Sequence, residues 1–281
     1  MELSKDKKER ILWLDLLKAF AIFLVLWGHC IQHLLPTEAT EEPMYRFIYS
    51  FHMPLFMMLS GFFAASARLD NIIFVVTKKF RQLMLPVVTI VCTWLIVNYI
   101  TKGITLGIGV ENPFRWFWFL KSAFICACFY LLATTSKKYF YPLIIVTLMI
   151  AYFAHYYMIH FMYPCFVVGA MLRKNINFVE KYYKAIGISC ASIFFLLYLG
   201  YEISVRHLVF QNVSIGDKLV KFTFDYAYIV IMGIAGSITC FCLFKNFENK
   251  CQSSYFINKL SKVGNIPWVF MWHRFLSWKF S

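Results

Sequence analysis

The chain has 281 residues, of which 60% are hydrophobic and only 15% charged, and a mean hydropathy of +0.63. A water-soluble domain of this length cannot hide so much apolar surface, and long uncharged runs read as bilayer spans. The formal net charge of +14 raises the question of nucleic acid. No segment outside the apolar runs is long enough for a binding module, so no nucleic-acid partner is expected and the basic residues read as topology signals.

In chain order, the apolar runs predict nine helical spans at about 11–31, 47–67, 83–101, 114–133, 139–158, 160–172, 185–201, 222–244 and 264–280. The first run is too long for a signal peptide, carries Asp15 and Lys18, and lacks a small-residue cleavage site, so it is taken as a retained span. The sixth is short for a hydrocarbon core of ~30 Å and contains Pro164. The ninth ends beside Ser281, and a tenth span is expected after it. No internal repeat or linker is visible. Residues 1–281 therefore read as one domain with an all-α fold, a polytopic transmembrane helix bundle.

Placing the N-terminus in the cytoplasm puts segments 5–10, 68–81, 137–138, 173–184 and 245–262 on the inside, with eighteen Lys and Arg between them. The opposite side then holds six: Arg46, Lys102, Arg115, Arg206, Lys218 and Lys221. Every inside segment obeys the positive-inside rule, which supports the span count as well as the orientation. Most of the nine cysteines lie in apolar runs. Cys126 and Cys128, like Cys240 and Cys242, are two apart and point to nearly opposite sides of a helix, so they read as packing residues and no metal is expected.

On this topology all seven histidines avoid the cytoplasmic loops. His29 and His33 end span one on the outer side, His52 precedes span two, His155 and His160 flank an outer turn, His207 lies in an outer loop, and His273 lies in span nine. Histidines tolerate interfaces, but their gathering at one side suggests proton chemistry or polar-ligand binding there. Span one carries ionisable residues at intramembrane depth, where they are costly. Asp15 and Lys18 are three apart and can pair. Lys18 and His29 are eleven apart; at 3.6 residues per turn this is about 20° beyond three turns, so they share a face, roughly 16 Å apart along the axis.

Two further clusters stand out. In Ser50-Phe51-His52-Met53-Pro54, the proline suits a first helical turn and His52 is a partner for His29; Ser60-Gly61 allows close helix approach. The basic run Lys78, Lys79 and Arg81 sits at the entrance to span three. It reads either as a topology signal or as an anion site for the phosphates of a cofactor.

Together, Leu14-Asp15-Leu16-Leu17-Lys18, the basic residue and histidine with ten residues between them, Phe51-His52-Met53-Pro54-Leu55-Phe56 leading to Ser60-Gly61, and the basic run closing on Leu85-Pro86 resemble the membrane acyltransferase-3 family, in its fucose 4-O-acetylase-like branch. Trp118-Phe119-Leu120-Lys121, the stretch from Tyr163 to Gly169 with Arg173-Lys174, and the stretch from Gly264 to His273 fit more loosely. The resemblance implies an O-acyltransferase in a bacterial inner membrane. It would move an acyl group, usually acetyl, from cytoplasmic acyl-CoA to a sugar hydroxyl of a surface polysaccharide or its lipid-linked precursor. It makes His29 the essential histidine and Lys18 its basic partner; with the residue pattern above, Asp15 and His52 are the other catalytic candidates, and Lys78, Lys79, Arg81 and Lys18 form the expected acetyl-CoA site. Lys18 stands where the family commonly has arginine and gives up the bidentate fork. Pro267 stands where the family tends to have a small polar residue.

His29 can serve as general base or as transient acyl carrier. A transporter using Asp15, Lys18 and His29 as a proton relay is the alternative, without the paired half-sequences that transporters show. A non-catalytic, truncated homologue is the third reading. Homo-oligomerisation stays open. The polar stretch 201–221 is a candidate lid, and its Asn212-Val213-Ser214 matches a glycosylation acceptor that matters only in a eukaryotic secretory membrane.

Overall fold

Hydrocarbon offers the backbone no water, so each N–H and C=O must pair within its own segment, and the apolar runs become helices. The computed structural model describes residues 11–35, 39–65, 72–102, 117–153, 158–201 and 219–247. They form α1 (Leu12–Leu34), α2 (Pro43–Ala64), α3 (Ile72–Lys102), α4 (Trp118–Ala133), α5 (Phe140–Phe153), α6 (Ile159–Lys174), α7 (Ile176–Leu199) and α8 (Leu219–Asn246), with no strand among the described residues. The expected ninth span at 264–280, with Pro267 and His273, lies outside them, as do His155, His207, Arg68 and Asn212.

Among the described residues, five helices are long and apolar enough to cross a bilayer: α1, α2, Ile72–Ile100 within α3, α7, and Phe224–Asn246 within α8. This is fewer than the eight spans expected there: three of them are shorter within the described residues, and the ninth lies outside these. Helices α4 and α6 have 16 residues and α5 has 14, which at 1.5 Å per residue reach only ~24 and ~21 Å against a core of ~30 Å. An apolar run marks where the chain avoids water, not where its hydrogen-bonded ladder starts and stops. Helices α4 and α6 share a core with α2 built around Met57, Tyr130, Tyr163 and Phe166, and α5 joins it through Phe140, Ile144 and Ala151 while its other face stays exposed.

Two helices start earlier than the hydropathy suggests. Helix α3 begins at Ile72, so Lys78, Lys79 and Arg81 ride on it rather than preceding it. Helix α2 begins at Pro43, the proline whose missing N–H suits a first turn, and Pro54 therefore lies inside the helix. His52 is thus an interior helical residue, not one that precedes the span.

Side-chain contacts fix the up-and-down course. Lys18 lies over the Phe63 ring at 4.1 Å, Arg173 over Phe62 at 5.3 Å, Lys174 over Phe140 at 3.2 Å and Lys245 over Trp13 at 5.4 Å. The start of α1, the ends of α2, α6 and α8 and the start of α5 therefore share one end of the bundle, the basic end. At the other end Phe47 meets Tyr198 at 5.6 Å, and the Tyr226 hydroxyl donates to the His160 carbonyl at 2.7 Å. His29, His52 and His160 belong to this half.

Helix α2 is the hub. A Cβ on Gly61 would fall on the Phe166 carbonyl oxygen, and one on Gly169 would fall on the Met58 carbonyl oxygen. Each glycine thus faces the carbonyl three residues before the other, so the α2 and α6 backbones touch directly, the close approach that small residues allow between membrane helices. On its other side α2 inserts Pro54 against Gly233 and Phe51 against Gly236 of α8. Its membrane-length window is 72% buried, whereas that of α3 is 11% buried.

Candidate active site

Pro54 has no N–H to give to the Ser50 carbonyl, which loosens the ladder at the middle of α2. Polar side chains fold back on the carbonyls just before it. The Ser50 hydroxyl donates to Phe47 O at 2.7 Å. His52 Nδ1 lies 2.8 Å from Ile48 O. A carbonyl only accepts, so Nδ1 carries a proton, and Nε2 is the ring nitrogen turned away from this bond. His52 is 3% exposed, and the edge of the Tyr49 ring packs on it at 4.6 Å.

Tyr49 also links His52 to α1. A Cβ on Gly28 would come within 2.8 Å of Tyr49 Cε2, so glycine lets the phenol ring approach α1 closely immediately before His29. His29 itself is half-buried. Two imidazoles on neighbouring helices are thereby held at the level of one tyrosine ring.

Toward the basic end, Asp15 is 5% exposed and accepts from Lys18 Nζ at 3.0 Å, the i,i+3 pair that the sequence suggests. Between Lys18 and His29 their common face carries Ile22 and Val25, both buried in the core. Lys18 opens instead onto a cavity of ≈ 180 Å³ that it lines together with Phe56, Ser60, Phe63, Lys79 and Leu83. At ~30 Å³ per water this is room for about six waters, a narrow slot rather than a sugar site. The cavity joins Lys18 on α1 to Lys79 on α3 across α2. Lys78 and Arg81 are exposed on α3 and do not line it. Asp15 offsets Lys18, so the slot keeps about one net positive charge among mostly apolar walls, suited to an anionic group with an apolar stem.

The slot's α2 wall is Phe56, Leu59, Ser60 and Phe63. His52 stands four residues before Phe56, on the same face and about 6 Å further along the axis. One helix face therefore runs from paired cations to an imidazole.

Two further polar residues are buried: Lys121, which the sequence does not mark as a site residue, and His160, one of the outer-side histidines. Lys121 in the first turn of α4 is 7% exposed, and His160 is 2% exposed, its ring stacked on Tyr226 at 6.0 Å. The signal for Lys121 was the same as for Lys18, a cation inside an apolar run, where charge is costly and usually functional. Among the described residues no group of three or more His, Cys, Asp or Glu could hold a metal ion. Cys126, Cys165 and Cys242 are buried free thiols.

Comparison with known proteins gives these features a family. The model of the acyltransferase-3 family, described as an acyltransferase domain, matches residues 11–280. The nodulation protein NolL of Mesorhizobium japonicum is 32% identical over 142 residues, covering 46% of this chain and 37% of that protein. The nodulation protein NolL of Sinorhizobium fredii is 23% identical over 215 residues, covering 70% of this chain and 59% of that protein. The chain thus spans between about a third and three fifths of the length of these relatives. No solved structure matches. With a match that runs from the first turn before α1 nearly to the last residue, and with membrane-length helices bearing paired charges, the chain belongs to the acyltransferase-3 family of integral membrane proteins.

Proposed function

We propose that the protein is a membrane-embedded O-acyltransferase that moves an acetyl group from cytoplasmic acetyl-CoA to a sugar hydroxyl of a cell-surface polysaccharide or its lipid-linked precursor. In this reading residues 1–281 act as one acyltransferase domain in a bacterial inner membrane. The N-terminus and basic end face the cytoplasm, in keeping with the positive-inside rule, and the histidine end faces outward. The observation that carries the reading is the slot shared by Lys18 and Lys79, with its α2 wall leading to His52.

The acyl-CoA phosphates dock at the basic end on Lys79, with Lys78 and Arg81 around the mouth and Lys18 within, as charge-assisted partners. The extended arm runs along the α2 face toward the histidines. There an imidazole nitrogen of His29, seconded by His52, takes the proton of the acceptor hydroxyl. The hydroxyl oxygen bonds to the acetyl carbonyl carbon, the carbon–sulfur bond breaks, and the departing thiolate takes the proton from the imidazolium. In the covalent variant, the acetyl group rests on His29 before the acceptor arrives. The apolar packing at Ile22, Val25 and Phe56 keeps water from the thioester.

The test uses the full chain in liposomes with radiolabelled acetyl-CoA and a lipid-linked glycan acceptor. Label enters the glycan with the parent protein, and His29→Ala and Lys18→Ala abolish or strongly reduce it. Unchanged turnover in His29→Ala would sink the proposal, as would equal acetylation of surface polysaccharide in cells with and without the gene.

A further inference from the structure

A second cavity at the basic end, of ≈ 330 Å³, lies between the end of α4, the start of α5 and the end of α6, and is lined by Tyr130, Thr134, Lys137, Phe140, Tyr141 and Lys174. It is separate from the slot described above: Phe166 lines the slot, Tyr130 lines this cavity, and their rings pack together at 5.8 Å as the wall between them. Two lysines turn onto it, and among the described residues neither meets a carboxylate. Lys174 is steadied over the Phe140 ring at 3.2 Å.

Helix ends do not consume these charges. The last carbonyls of α4 already accept from the Thr134 and Thr135 amides and hydroxyls, and Met171 O of α6 accepts from the Asn175 amide and side chain. The start of α5 adds the positive end of a helix dipole at the same place. Topology signalling explains lysines in such turns, but not two of them aimed into one uncompensated cavity.

The cavity also opens beside an exposed apolar surface. Tyr141 lines it and begins a stripe of exposed apolar side chains at every fourth residue of α5: Tyr141, Ile145, Met149 and Phe153. The stripe continues for ~18 Å along the helix. A soluble phosphate compound has no use for it, whereas a lipid tail fits along it. We propose that this cavity binds the phosphate headgroup of an anionic phospholipid, with Lys137 and Lys174 on the phosphate and an acyl chain lying along α5. Basic pockets between membrane helices on the cytoplasmic side recognise such headgroups.

The experiment is native mass spectrometry of the full-length protein, titrated in detergent with phosphatidylglycerol and, separately, phosphatidylcholine. The parent is expected to retain phosphatidylglycerol selectively. Lys137→Gln with Lys174→Gln lowers its affinity ~25-fold, at ~5-fold per lysine near an anionic headgroup, while phosphatidylcholine is unaffected. Lys138→Gln, outside the cavity, changes nothing. The Arg/Arg version of the double variant keeps binding, which separates lost charge from lost fold. Undiminished phosphatidylglycerol binding in the Gln variant, or loss of binding in the Arg variant, overturns the proposal. Displacement of the lipid by millimolar inorganic phosphate or coenzyme A also overturns it, because the site would then belong to a soluble phosphate.

Discussion

Replacing Gly61 by alanine attacks the contact on which the hub helix depends. The added Cβ would lie 2.8 Å from the Phe166 carbonyl carbon and 3.1 Å from its Cα, and would overlap the carbonyl oxygen. All three atoms are backbone, so no rotamer change relieves the clash, and α2 and α6 must separate. Overpacking a well-filled site costs about 1–3 kcal/mol, and a backbone-on-backbone clash belongs at the upper end, about 3 kcal/mol. For a chain of this size each kcal/mol shifts the melting midpoint by roughly 2–4 °C, so Gly61→Ala lowers it by about 6–12 °C. Gly200→Ala is the control, since the nearest atom to its Cβ is Tyr228 Oη at 3.6 Å. The assay is thermal unfolding in detergent, followed by circular dichroism or a thiol-reactive dye on the buried cysteines. If Gly61→Ala melts within about 2 °C of the Gly200→Ala control, where a shift of 6–12 °C is due, the direct α2–α6 backbone contact is wrong.

Lys79→Ala should raise KM for acetyl-CoA by about 10–100-fold, the loss of one charged hydrogen bond, while Lys78→Ala, outside the slot, changes it much less; steady-state kinetics read the difference. His52→Ala should lower kcat by about 10²–10⁴-fold if its Nε2 works with His29 as base, with acetyl-CoA binding by calorimetry unchanged. Asp15→Asn leaves Lys18 uncompensated, so binding of acetyl-CoA should tighten at low salt while the melting midpoint falls. Tyr163→Phe removes the 2.9 Å hydrogen bond to Thr147, whose hydroxyl still donates to Leu143 O or Ile144 O. It should therefore cost only about 1 kcal/mol in denaturant unfolding.

Local spacing carried the first helix. The pairing of Asp15 with Lys18 needs only two residues three apart, and hydropathy with charge counting placed α1 to α8 and grouped the basic turns at one end. Pro54 resembles a first-turn proline because an apolar run follows it, but Pro43 holds that position and places Pro54 inside the helix. The start of α3 was hidden for the same reason: charged residues at 78–81 look like a loop to a hydropathy window, but Lys and Arg are good helix formers. The slot joins residues 18, 56–63 and 79–83, and the α2–α6 crossing joins 61 to 169. Such meetings depend on how helices cross. Sequence marks Gly61 as small but does not say which helix it admits.

The slot's walls are unequally anchored. On one side α2 is locked between α6 and α8 through backbone and glycine contacts. On the other, Lys79 and Leu83 belong to α3, whose upper half rests on α4 through Val87 and Val91 and whose lower half is steadied by Phe80 against Phe124 at 5.9 Å. Between the halves sits Pro86, where the helix lacks one rung. Of the slot's two walls, the one on α3 is therefore the less firmly held: it is interrupted at Pro86 and, below that, rests on the ring contact of Phe80 with Phe124.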